Sequence, residues 1–381
     1  MIKKIIYLFP FHASPKWVQD FYLKEVMEKN YAIEVWNISS ISFKSAHVEP
    51  TQDTSGFYYR KIKNLNGFIT ALDQLDILQT AFVVAVHLDH QTFDLYRELS
   101  KRSAKMLFFA RGLLPGSKMD GRDLKGYLKK ISKNPKQIIH SALNIAQKIK
   151  RKLNWIKPYE VTFSAGALAE TIYSSVSKRI VPIQSFDYER FTQIKSKNTQ
   201  SHIVFLDDGL TYHPDYTLLG LKHVPLEKYR TQLNDFFKQI EKALGLSVII
   251  AAHPSSQYGK DHFQGREIVV HQTPDLVQGS ALVLAHFSSS LSYAVLARKP
   301  VLLIDLPVFK GWNGEYERTK ISDMSRELGA PILSVDTSGQ QNFSHIAVNE
   351  ELYKKFEIQY LVKNRFQSKT SEEFLKVLSR L

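Results

Sequence analysis

Twice along its length the chain alternates short apolar runs with amphipathic stretches, and this periodicity restricts the possible folds more than any other feature. In the first half, Ile5–Phe9, Ile33–Ile38, Ala81–Val86, Met106–Ala110 and Val161–Ser164 are short and rich in Val, Ile and Phe, as buried strands are. Between them, Trp17–Lys29 and Thr92–Arg102 space their apolar residues as helices do. Strands alternating with helices pair in parallel, because each crossover helix covers a face of the sheet. After Ile180–Ile183 and a polar stretch, Lys195–Ser201, the alternation restarts. Strands are expected at Ile203–Leu206, Ser247–Ala252, Glu267–Val270, Ala281–Ala285 and Val301–Ile304. Helices are expected at Leu226–Leu244, Leu276–Ser280, Ser289–Ala297 and Ser371–Leu381. The implied class is α/β, with two Rossmann-like domains whose parallel sheets face a central cleft. The expected division is an N-terminal domain over 1–195 and a second domain over 196–350. Helices over 351–381 are expected to cross back onto the first domain. A length of 381 residues suits two such domains and exceeds what one ordinary core holds.

Composition removes several classes of function. With no cysteine, disulfides and thiolate metal sites are excluded. The N-terminal run Met1–Pro10 carries two lysines before apolar residues, but it is short, Pro10 interrupts it and no small-residue cleavage site follows. It is expected to be a first buried strand. Nowhere do about 18 apolar residues run together, so no spanning helix is expected. The net charge of +14 points to an anionic partner. Much of it lies in Lys118–Lys157, a stretch with twelve Lys/Arg against Asp120 and Asp123, read as a basic helical insertion at about 117–157. Ile138, Ala142, Ile145, Ile149, Leu153 and Ile156 recur there at helical spacing, and Trp155 follows the basic cluster. Such a helix suits an anionic membrane surface, and a solvated helix packed on its own domain fits it equally. Nucleic acid is not the expected partner, since aromatic residues for base stacking are few and no recognised module is present. The expected location is the cytoplasm, with peripheral attachment to the inner face of the membrane if that segment binds lipid.

Three segments follow strand ends, where open α/β sheets bind ligands. Leu206-Asp207-Asp208-Gly209 puts two carboxylates before a glycine turn, and a carboxylate there suits a general base. An Asp-Gly turn with solvated acids, or a paired-acid cation site, fits the same residues. Ala252-His253-Pro254 holds an imidazole in a stiff turn, suited to a departing phosphate oxygen. A histidine bonded to local carbonyls is the alternative. His286-Phe287-Ser288-Ser289-Ser290 leads into a helix, and free amides with serine hydroxyls suit a phosphate. Simple capping by one serine is the alternative. If the three converge, His253 and the serines hold a leaving phosphate while Asp208 faces it from across the sugar, as in-line displacement requires.

Asp207-Asp208-Gly209, His253-Pro254 and Ser289-Ser290 resemble, in the same order, the acidic-acidic-Gly, His-Pro and Ser/Thr motifs of bacterial sialyltransferases and capsule polysialyltransferases. The similarity runs mainly from Ile203 to Ile304 and extends to Tyr212-His213-Pro214-Asp215-Tyr216 and Ala294-Val295-Leu296. It implies a GT-B fold and an inverting, metal-independent glycosyltransferase. The donor would be a CMP-activated nonulosonic acid of the sialic or pseudaminic type, with a glycan or glycolipid acceptor, as in capsule or lipopolysaccharide synthesis. No cofactor is implied, the CMP-sugar being a substrate. By the same resemblance Asp208 is the base beside Asp207, with Gly209 in the turn. His253 with Pro254 binds or protonates the phosphate, and Ser288, Ser289 and Ser290 hold it. The family's polar ribose contact maps to Thr273 and Asp275. His12 and Arg111, each after an expected strand of the first half, are the candidates for a substrate carboxylate, with structural roles as the alternative. A CDP-glycerol-type polyol-phosphate transferase and a noncatalytic protein that binds glycan or membrane through Lys118–Lys157 are the rival functions.

Overall fold

A computed structural model of the chain describes residues 1–10, 15–42, 57–115, 154–195, 199–211, 222–253, 256, 258–259, 262–310, 314–335, 343, 346–364 and 368–381. The basic insertion up to residue 153, His12 and Pro254 lie outside the described residues. Two compact units divide the chain: Met1–Arg111 with Met119–Ile183 and Phe366–Leu381, and Gly112–Lys118 with Gln184–Arg365.

The first unit is built on a seven-stranded parallel sheet. Its strands are β1 (Lys4–Phe9), β2 (Ala32–Asn37), β3 (Tyr58–Lys61), β4 (Thr80–Val84), β5 (Lys105–Ala110), β6 (Val161–Ala165) and β7 (Ile180–Ile183). Their spatial order is β3-β2-β1-β4-β5-β6-β7, parallel throughout. β1 is buried from Ile5 to Phe9 and β4 along its whole length, which is why both read as continuous apolar runs rather than alternating ones. The helix expected over Trp17–Lys29 is two helices, Pro15–Asp20 and Leu23–Glu28. Between them Tyr22 takes a left-handed φ of 59°, and its buried ring packs against Phe109 and Phe374. The C-terminal helix Thr370–Leu378 belongs to this unit. Phe374 meets Phe109 and Phe163 edge-on at 5.2 and 5.3 Å, and Lys105 Nζ donates to the main-chain oxygen of Leu381 at 2.5 Å.

The second unit begins directly after β7, ahead of the polar stretch Lys195–Ser201, because the helix Phe186–Phe191 packs on the helix Leu291–Leu296. The Ser292 hydroxyl donates to Asp187 Oδ2 at 2.5 Å across that contact. Six parallel strands follow: β8 (His202–Leu206), β9 (Val248–Ala252), β10 (Ile268–Val270), β11 (Ser280–Ala285), β12 (Val301–Asp305) and β13 (Ile332–Ser334). Their order is β10-β9-β8-β11-β12-β13. The amphipathic helix Leu226–Leu244 buries Tyr229, Leu233, Phe236, Phe237 and Ile240, and ends at Gly245 in the left-handed region, φ 66°. Both sheets therefore have the doubly wound order in which the first strand is central and the chain leaves it first to one side, then to the other. In the second unit that reversal falls between β8 and β11.

Candidate functional site

The parallel register brings the three motif loops to one level. Leu206 pairs with Ala251 of β9 on one side and with Ala285 of β11 on the other. Asp207-Asp208, His253 and Phe287-Ser288 therefore leave adjacent strands at the same edge of the sheet, beside the point where the strand order reverses. Among parallel-sheet proteins this crevice is where ligands bind.

The two carboxylates diverge. Asp207 is buried and turns toward the β9 loop: its Oδ2 accepts the Tyr258 hydroxyl at 2.6 Å and the His253 amide at 3.2 Å, and its Oδ1 accepts the Gly209 amide at 3.1 Å. Burial pushes its carboxyl above the ordinary range, and those three donors pull it back. With both oxygens engaged by the protein, Asp207 ties the His253 loop to the end of β8. The resemblance sets Asp207 beside Asp208 among the catalytic groups, and here it also anchors the His253 loop. Asp208 turns the other way, toward β11, where it accepts the Phe287 amide at 3.4 Å and a hydrogen bond from Ser288. Burial, then the charge of Asp207, raises its carboxyl to about 7, with the Phe287 amide and Ser288 opposing and Glu317 adding to the rise. A carboxyl that titrates near neutrality is suited to exchanging a proton with a substrate hydroxyl.

Gly209 has a φ of +60°, and a Cβ built there would stand 3.6 Å from both Cβ and Cγ of His253. The turn is thus left-handed, and the imidazole lies over it. The His253 carbonyl accepts the Ser256 amide at 2.8 Å and the Ser256 hydroxyl, so the loop is closed locally on its own backbone. Of the serine cluster, Ser288 is buried, and its Oγ receives the Ser290 amide at 3.3 Å. Ser290 caps the helix Leu291–Leu296 by position, yet its hydroxyl makes no capping bond, and Ser289 is exposed. Capping does not account for either hydroxyl. His286, by contrast, is wholly buried: it bonds the Tyr229 hydroxyl at 3.1 Å and the Ile304 carbonyl at 2.7 Å, and burial lowers its pKa to about 4. It is a neutral core histidine.

Two placements depart from expectation. Asp208 does not stand opposite His253 and the serines. β8 lies between β9 and β11, so all three belong to one wall, with the flanking loops on either side of Asp208 and roughly 10 Å apart at ordinary strand spacing. Thr273 and Asp275 open the helix Thr273–Gly279 after β10, the outermost strand on that side, with Asp275 exposed. They share the edge, two strands from β8. In the first unit Arg111 follows β5, donates to the Tyr22 hydroxyl at 2.5 Å and lies over the rings of Tyr22 and Phe109. It is built into that unit's aromatic core, the structural alternative for this residue. Two residues the motifs did not suggest also shape the site: Tyr258, five positions beyond His253, and the fully buried Glu317 of the helix Gly314–Leu328. Among the described residues no group of three or more His, Asp and Glu is placed to hold a metal ion, and no helix is long and apolar enough to cross a membrane.

No family model and no curated protein sequence matches the chain. Solved structures do. The wall teichoic acid polymerase TagF aligns with 99% of this chain and 88% of its own at a TM-score of 0.50 and 10% identity. The glycosyltransferase SnogD from Streptomyces nogalater aligns over 99% and 100% at 0.49 and 8%. UDP-GlcNAc 2-epimerase from Methanocaldococcus jannaschii aligns over 100% of both chains at 0.45 and 12%. Likeness at such identity speaks to fold alone. Taken with the two doubly wound parallel sheets, it gives this chain the GT-B fold.

Proposed function

We propose that the chain is an inverting glycosyltransferase that moves a nonulosonic acid from its CMP ester to a hydroxyl of a cell-surface glycan or glycolipid. The observation that carries this reading is the meeting of Asp208, His253 and Ser288–Ser290 at one strand edge beside the switch point, with Asp208 titrating near neutrality. The same three motifs, in the same order, motivate the sialyltransferase resemblance. Asp208, when ionised, takes the proton of the acceptor hydroxyl as its oxygen attacks the anomeric carbon. The bond from that carbon to the phosphate oxygen breaks, and CMP departs. Its phosphate gains negative charge that the imidazole of His253 and the hydroxyls of Ser289 and Ser290 stabilise by donating hydrogen bonds.

A second reading is favoured by the TagF likeness: transfer of a polyol phosphate from a CDP-linked donor. There a phosphorus–oxygen bond breaks instead, but CMP again leaves, so the same grip on the nucleotide serves both. CMP binding alone does not separate them; the donor consumed does. The shared part is tested by titrating CMP into the protein calorimetrically. Binding that weakens in His253→Ala and in a Ser289→Ala/Ser290→Ala double variant is expected, and binding indifferent to all three substitutions overturns the phosphate grip.

A further inference from the structure

The serine turn after β11 is held by a residue from distant sequence. The hydroxyl of the buried Ser292 lies 2.5 Å from Asp187 Oδ2 and 3.0 Å from the carbonyl oxygen of Ser289. One hydroxyl proton serves both acceptors, and the nearer, charged one takes the larger share. Asp187 thereby fixes the Ser292 rotamer, with its oxygen against the Ser289 carbonyl. The same carbonyl accepts the Ser292 amide at 3.3 Å. At the other end of that planar peptide group, the Ser290 amide donates to the Ser288 hydroxyl oxygen at 3.3 Å. The Ser289–Ser290 peptide is thus gripped at both ends. Its plane sets how the chain presents the side chains on either side of it, Ser289 exposed and Ser290 half-buried. Asp187 is itself anchored. Its Oδ1 stands 3.8 Å from the Arg190 guanidinium, one turn along the same helix, and the hydroxyl of the buried Tyr293 hydrogen-bonds both members of this pair. The Asp187 side chain keeps 26% of its surface exposed, so water screens the ion pair, which orients the carboxylate more than it stabilises the fold.

We propose that Asp187 is a positioning residue for the serine turn: through the Ser292 hydroxyl it fixes the Ser289–Ser290 peptide, and so aims the Ser289 and Ser290 hydroxyls at a bound phosphate. That the phosphate is that of CMP rests on the function proposed above, and the test separates the two. Asp187→Ala and Ser292→Ala cut the same bond from opposite ends, so the test does not depend on one variant folding. Amide hydrogen exchange over Ser288–Tyr293, followed by mass spectrometry without ligand, is expected to rise about tenfold or more in both, the factor for losing a hydrogen bond to a charged group. Asp187→Asn keeps an acceptor for the hydroxyl and should restore most of the parent protection. CMP binding, followed by calorimetry, is expected to weaken about tenfold in Asp187→Ala. It should weaken no further when that change is added to the Ser289→Ala/Ser290→Ala double variant, since no hydroxyls remain to aim. Unchanged exchange in both variants overturns the proposal. So does a loss of CMP affinity that is the same with and without the two serines, the mark of a general loosening. Faster exchange in a protein that does not bind CMP upholds the hold of Asp187 on the turn and overturns the phosphate grip of the proposed function.

Discussion

Replacing Asp208 by Asn separates the burial of a charge from the chemistry it performs. Asparagine keeps the shape, accepts the Phe287 amide and donates to Ser288, but carries no proton to lose. The Asp208 carboxyl is raised from an ordinary 3.8 to about 7, so the native state binds its proton more tightly than the unfolded chain does. Stability is therefore lost as pH rises through that window, and the loss is complete above about 7. The full penalty is about 4 kcal/mol, at about 1.4 kcal/mol for each unit of displacement. Linkage gives less than half of it at pH 5 and nearly all of it at pH 8. Asp208→Asn relieves this penalty, so its stabilising effect should be larger at pH 8 than at pH 5 by about 2–3 kcal/mol. For a domain the size of the second unit that is roughly 5–10 °C in Tm. Calorimetry at the two pH values reads it directly. Equal shifts at both, or destabilisation at pH 8, would refute a desolvated, proton-exchanging carboxyl at this half-buried residue. The same variant should bind CMP as tightly as the parent or more so, since an anionic phosphate no longer meets an ionised neighbour, while donor turnover disappears.

Tyr258→Phe removes the 2.6 Å bond to Asp207, and urea unfolding should show a loss of about 1–3 kcal/mol together with weaker CMP binding as the His253 loop loosens. Unchanged CMP affinity would contradict Asp207 as the anchor of that loop. His253→Ala should weaken CMP binding about tenfold to a hundredfold by calorimetry, the range for a hydrogen bond to a charged group. Phe374→Ala, which opens a cavity between the C-terminal helix and the first sheet, should lower the stability of the first unit by about 3–5 kcal/mol in urea. A change under about 1 kcal/mol would mean that the helix is not integral to that core.

The strands were legible because parallel strands covered on both faces leave an uninterrupted apolar run, as in Ile5–Phe9 or Ile203–Leu206. The helix Leu226–Leu244 was legible to the residue because its apolar stripe is long and Gly245 stops it. The break at Tyr22 was not, since nothing in Trp17–Lys29 opposes a continuous helix; the contacts of Tyr22 with Phe109 and Phe374 come from distant sequence. Within the site, strand-end position alone singled out Asp208 and His253. The division of labour between Asp207 and Asp208 depends on which neighbouring strand each carboxylate turns toward, and the strand order that decides this is not written locally. Glu317 carries only the ordinary signature of a helical Glu–Lys pair at spacing three, which surface helices show everywhere; its burial beside the Asp208 loop is a product of topology. Tyr258 had one usable signal, an aromatic hydroxyl shortly after a His-Pro turn and within reach of the same strand end.

The most direct measurement supplies the protein with CMP-sialic acid, CMP-pseudaminic acid and CDP-glycerol in separate reactions with glycan acceptors, and follows both CMP release and the bond formed. Consumption of a CMP-nonulosonate with inversion at the anomeric carbon, abolished in Asp208→Asn, is the predicted result. Consumption of CDP-glycerol alone, or CMP release that persists undiminished without the Asp208 carboxyl, would contradict it.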